Sequence, residues 1–213
     1  MILSLLFQNP ILFVAWLIAI LIALSFHEFA HALAGYALGD STAKREGRLT
    51  LNPLAHIDLL GFLMLIFIGF GWGKPVPFNP FNLNKYPKWG PAIISIAGPL
   101  ANIILIIFFG ILLKILVVFT ALGPENLLVQ FLDILIMLNV FLIVFNLIPI
   151  PPLDGSKVLF ALLPSPKYDN FKYFLETRGP IILILLIILD SFSSVSILSA
   201  IFTWAINLVY RFF

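Results

Sequence analysis

His27-Glu28-Phe29-Ala30-His31 is the stretch of this chain whose residue types and spacing could do metal chemistry. On a helix, four positions advance the chain by just over one turn. His27 and His31 therefore share a face, about 6 Å apart along the axis. Two imidazoles placed in that way can grip one zinc ion, and the carboxylate of Glu28 can take a proton from a water that the ion polarises. The chain has three His among 213 residues. With that composition a chance HExxH arises on the order of once per thousand chains, so the pattern is informative without being decisive.

The elements that must position this stretch are unusual for an enzyme in water. The residues are 62% hydrophobic and 10% charged, and several apolar runs reach the roughly 20 residues that cross a bilayer. The composition implies an all-α polytopic membrane protein, with about four full transmembrane helices, short re-entrant or interfacial segments and a small extended loop region. The long runs exclude a barrel of short alternating strands. With no cysteine there is neither a disulfide nor a thiolate metal site, and a net charge of +2 gives no reason to expect nucleic acid. No Lys or Arg precedes Lys44, so the first run reads as a retained transmembrane helix and not as a signal peptide.

That first helix is expected over residues 10–38, with Pro10 in its first turn and Gly39 as its stop. His27 then lies about 25 Å along the axis, in the far half of the membrane. Residues 48–52 alternate weakly and read as an edge strand. Residues 59–72 are apolar but short, as a re-entrant or interfacial segment would be. The prolines at 75, 77 and 80 impose an extended loop to about residue 90. A second helix is expected over 91–119, kinked at Gly98-Pro99 and carrying Asn102. A third is expected over 126–148. A proline-rich break leads to Asp154, followed by a short amphipathic helix over 156–163, a polar loop over 164–178 and a last helix over 180–209, with a break near residues 190–194.

A catalytic zinc takes three protein ligands and leaves a position open. His27 and His31 supply two. His56, Asp58, Asp133, Asp154 and Asp190 are the imidazole and the acids at or near membrane depth. Asp154 is best placed, because irregular backbone at that depth lines a protein cavity. Its competing role is to cap the helix that follows. Asn102 and Asn146 are candidates for interhelical hydrogen bonds or for contacts to the oxyanion and substrate, and His56 for a hydrogen bond at the mouth of the site. Asp133 and Asp190 read as interfacial or interhelical residues.

HEFAH at 27–31 and NLIPIPPLDG at 146–155, with GRLTLNPLAHID at 47–58 and GPLAN at 98–102, resemble the site-2 protease family of intramembrane zinc metalloproteases, its short prokaryotic branch in particular. The resemblance spans about residues 20–160. It implies one zinc ion held by His27, His31 and Asp154, Glu28 as the catalytic acid/base, three core helices and a transmembrane protein as substrate. The chain is then one integral-membrane metalloprotease domain, residues 1–213, with a core at 10–160 and an added C-terminal helix at 180–209.

Basic residues orient the chain in the cell membrane. With four spans, residues 39–90 and 150–179 share a side and carry ten Lys and Arg, against Lys114 and Arg211 elsewhere. The site is expected toward the cytoplasm, with both termini outside. Two other functions compete with the protease: a catalytically inactive metal-binding scaffold and an ion or proton transporter, since intramembrane His, Glu and Asp also mark ion pathways.

Overall fold

The structure, a computed structural model, describes residues 2–69, 71–83, 86–120, 122–193 and 196–213. Lys85, one of the basic residues counted above, and Ser194, at the expected break, lie outside them. The helices are α1 (Ile2–Gln8), α2 (Pro10–Ala37), α3 (Thr42–Arg45), α4 (Leu59–Ile68), α5 (Gly90–Thr120), α6 (Leu127–Asn146), α7 (Asp154–Leu162), α8 (Asp169–Phe192) and α9 (Ile197–Tyr210). Helices α2, α5 and α6 are long and apolar enough to cross a membrane, and α8 with α9 forms a bent pair that could serve as a fourth span. The molecule is thus an all-α, multi-pass membrane protein.

Local chemistry sets the ends of the site-bearing helices. Pro10 sits in the first turn of α2, and the Asn9 side chain accepts from the Leu12 amide at 3.1 Å. Gly39, at φ 104°, takes the left-handed conformation that stops the helix. Asn126 caps α6 by accepting from Leu128 at 2.9 Å.

Helices α2, α5 and α6 form the core. Ala19 and Ala23 of α2 are fully buried, and such small residues let neighbouring backbones approach closely. Leu132, Ile136 and Val140 of α6 pack with Ile106 and Leu113 of α5 and Ala205 of α9. On its other face α5 exposes Ile104, Phe108, Ile111 and Val118, a surface suited to lipid. The polarity is inverted inside: Ser25, His27, Glu28, His31, Asn102 and Asn139 are all buried on these three helices. Polar groups at such depth call for internal partners, and Ser25, His27, His31, Asn102 and Asn139 have them.

Two expectations change. Among the described residues there is no strand, and 48–52 is not an edge strand. The backbone of this region closes on itself in turns, Arg48 donating to Ala43 and His56 to Pro53, so it has no ladder to join. The one β pairing among the described residues is an isolated bridge, Ile57 to Gly73. That bridge ties together the two flanks of α4, which Asp58 caps through the Gly61 amide and Gly69, at φ 85°, ends. The polar stretch 164–178 is also mostly helix, because α8 starts at Asp169. Asp169 favours a helix N-terminus and pairs with Lys172 at 3.2 Å, one turn on. The break between α8 and α9 falls where expected. Asp190 accepts there from Ser196 Oγ at 2.6 Å and the Ile197 amide at 2.7 Å.

Asp40, fully buried just past α2, fastens the loop that carries Asn79 and Asn82. It accepts from Asn79 N and Asn82 Nδ2, each at 2.7 Å, and from the amide and hydroxyl of Thr42. Burial alone would raise its pKa, but the hydrogen bonds from Asn82, Thr42 and Asn79 hold it below the ordinary carboxylate value. A lowered folded-state pKa means that this fastening is fully present above the unfolded value of about 3.9 and is lost as pH falls through the folded value. Asp40→Ala is expected to cost about 2 kcal/mol and to open the loop to trypsin at Lys74 and Lys88. Unchanged cleavage rates at neutral pH would show that Asp40 does not hold it.

Candidate metal centre

His27 and His31 lie one turn apart on α2 with their rings at 87° and 4.6 Å between centroids. Both are buried, at 2% and 7% exposure. His27 Nδ1 is 2.6 Å from Asn102 Oδ1, and His31 Nδ1 is 2.7 Å from the Ile94 carbonyl, both on α5. Oxygen atoms of this kind only accept, so each Nδ1 carries the ring proton. Each Nε2 is left with a lone pair.

Those two lone pairs converge on one atom. Asp154 Oδ2 is 3.2 Å from His27 Nε2 and 3.1 Å from His31 Nε2. With no proton on either nitrogen the three atoms have no hydrogen bond among them, and Oδ2 is buried without another partner among the described residues. Three acceptors in such proximity repel unless a cation lies between them. A tetrahedral zinc with bonds of about 2.0–2.2 Å sets its ligand atoms roughly 3.3 Å apart, close to the spacing observed. Two neutral imidazoles and one carboxylate also suit zinc chemically. The residues present therefore fit the metal. Among the described residues these three form the one cluster able to hold it.

Asp154 reaches the site because the chain turns sharply after α6. Gly155 makes the turn possible: a Cβ there would come within 2.3 Å of the Leu147 carbonyl oxygen. Asp154 is the first residue of α7, with Leu153 in the cap position, so its carboxylate is not occupied in capping. On the opposite wall Gly98 of α5 lies directly against both imidazoles, where a Cβ would come 2.5 Å from His31 Nε2. Gly98, expected only as part of a kink with Pro99, leaves room for the two rings.

Glu28 is buried beside His27, at 9% exposure. Arg48, which the sequence marked only as a loop cation, is buried close by. Its Nη2 donates to the Lys74 carbonyl, while Nε and Nη1 have no partner among the described residues. Burial lowers its pKa below the ordinary value, and the charge of Glu28 is the larger of the two that oppose this.

The other sequence candidates stand elsewhere. His56 is fully buried, with Nε2 donating to the Thr50 carbonyl at 2.8 Å, outside the cluster. The Asn146 amide donates to Leu142 at 3.0 Å in its own helix. Asn102 bonds to His27 and also to Asn139 Oδ1 at 2.7 Å. Asp58 caps α4, Asp190 caps α9, and Asp133 accepts from the Tyr210 hydroxyl at 3.0 Å. Asn139 is the polar residue that sequence reasoning missed. Its signal was a lone amide in an apolar helix.

Comparison with known proteins agrees with this geometry. Residues 115–187, which include Asp154, match the pattern of Peptidase family M50. The chain is 44% identical over 153 residues to YwhC of Bacillus subtilis, covering 69% of this chain and 68% of that one. It is 30% identical over 200 residues to Rip2 of Mycolicibacterium smegmatis, covering 91% and 70%. It is 32% identical over 149 residues to MJ0611 of Methanocaldococcus jannaschii, covering 70% and 71%. All three carry the name "Putative zinc metalloprotease". No solved structure matches the chain. The chain belongs to peptidase family M50, the site-2 protease family of zinc metalloproteases.

Proposed function

We propose that this zinc metalloprotease cleaves transmembrane segments of other membrane proteins, with His27, His31 and Asp154 holding one zinc ion and Glu28 acting as general acid/base. The observation that carries the reading is the convergence of two imidazole lone pairs on one carboxylate oxygen, each within 3.2 Å of it, buried between apolar helices. The chemistry a bound zinc ion supplies is Lewis acidity toward the scissile carbonyl and toward water, whose pKa falls to about 7. Glu28 takes the proton as hydroxide adds to the carbonyl carbon, then delivers it to the leaving nitrogen as the C–N bond breaks. Water is consumed and two chain ends are released. Asn102 and Ile94 hold the ligand rings in register.

A transmembrane helix shields its own peptide bonds, so the substrate must unwind locally before a carbonyl can reach the site. The proline-spaced segment 74–80, which follows the bridge at Gly73, is our candidate to pair with such a stretch by strand addition. A transporter would need a relay of free carboxylates. Asp58, Asp133 and Asp190 are instead engaged in caps and in a bond to tyrosine, which favours the protease.

Glu28→Gln is expected to lower cleavage by about 10³-fold or more while zinc stays at one per chain. Comparing membrane proteomes of cells carrying wild type and Glu28→Gln should show fragments that vanish in the variant. Undiminished cleavage by a zinc-replete Glu28→Gln protein would contradict the mechanism. For orientation, the ten-to-two charge bias supports a site toward the cytoplasm and both termini outside. Epitope tags at either end should both be lost when intact cells are treated with protease. A protected C-terminal tag would mean that α8 and α9 do not together complete a fourth span.

A further inference from the structure

The two ligand rings are held by different means. His31 Nδ1 faces a backbone carbonyl, that of Ile94, and a carbonyl can only accept. His27 Nδ1 faces the side-chain amide of Asn102. An amide has two unlike ends, and which end faces the ring decides the ring's tautomer. The oxygen end demands N–H at Nδ1 and leaves the Nε2 lone pair for the metal. The NH2 end would demand the reverse and put a proton on Nε2.

Something must therefore hold the oxygen end of Asn102 toward His27. Its Nδ2 donates to Asn139 Oδ1 at 2.7 Å and more weakly to the Ala23 carbonyl at 3.4 Å. Asn139 is fully buried in the middle of α6. Its own Nδ2 donates to the Leu135 carbonyl at 2.7 Å, one turn back. The polarity of the whole relay is thus anchored on a backbone carbonyl: Leu135 accepts from Asn139, Asn139 from Asn102, and Asn102 from His27. The relay crosses all three core helices and supplies His27 with what His31 receives directly.

We propose that Asn139, which touches neither ring, is a positioning residue for the metal: it fixes the orientation of the Asn102 amide and thereby keeps the His27 Nε2 lone pair facing His31 and Asp154. The inference rests on His27 being a zinc ligand, as read above.

The test is zinc affinity, measured by competition with a chromophoric chelator on purified full-length protein in detergent. Asn139→Leu removes the acceptor and is expected to weaken zinc binding roughly 10–100-fold. Asn139→Asp is close in shape and keeps an oxygen facing Asn102, so it should bind zinc within about threefold of wild type. A purely structural role predicts the opposite order, because leucine suits a membrane helix better than aspartate does. Asn102→Asp presents an oxygen to His27 whatever stands at 139, so adding Asn139→Leu to that background should cost no further affinity.

Wild-type affinity in Asn139→Leu, or a greater loss in Asn139→Asp, would overturn the proposal. If Asn139→Leu fails to fold while the double variant folds and binds zinc, the proposal stands. If both fail to fold, Asn139 is structural and the proposal falls. His27→Ala is the control: undiminished zinc affinity there would instead refute His27 as a ligand.

Discussion

Two imidazole lone pairs and a carboxylate oxygen crowd into one buried spot, and the surrounding structure exists to hold them there. Each of the three atoms repels the other two. The arrangement is stable only with a cation at its centre, and the fold keeps the atoms in place with groups that cannot themselves relieve the repulsion. Ile94 and Asn102 fix the ring protons on the far side of each imidazole. Gly98 and Gly155 permit approaches that any side chain would block. The donor set is assembled from the far half of α2 and the start of α7, some 125 positions apart in the chain.

The membrane setting raises what is at stake in each of these contacts. In an apolar surround an unpartnered amide or carboxylate is costly, so polar residues persist where a function or a complete hydrogen-bond chain retains them. Asn102 and Asn139 satisfy each other and end on a backbone carbonyl. Asp58 and Asp190 each have a local partner, and Asp133 accepts from Tyr210 on α9. Glu28 differs. It is buried next to His27, and its charge acts on Arg48, an arginine whose donors are only partly engaged. A carboxylate left available in such a place suits proton transfer better than scaffolding.

Much of this was legible in the sequence because it depends on period and punctuation. The spacing of His27 and His31 requires a helix, and the first three apolar runs required long helices whose boundaries fell within a few residues of those expected. The prolines before Asp154 foretold the break between α6 and α7. What escaped depends on pairing. Residues 48–52 had the alternation of a strand but no ladder to join. Residues 169–178 read as loop from their polarity, yet charges one turn apart and a favourable first turn make them helical. Asn139 carried only the signal of a lone amide among apolar neighbours, and its importance follows from Asn102 on another helix. Arg48 is similar: its burial beside Glu28 depends on how Lys74 folds back, which no local pattern encodes.

The central claim is that one metal ion joins α2 to α7 through three side chains. X-ray absorption at the zinc edge, on protein purified without added metal, measures this most directly. The structure predicts one zinc per chain with about four nitrogen and oxygen ligands near 2.0–2.1 Å, two of them imidazoles, and a changed ligand shell in Asp154→Ala. A wild-type spectrum lacking imidazole scattering, or one that Asp154→Ala leaves unaltered, would contradict it.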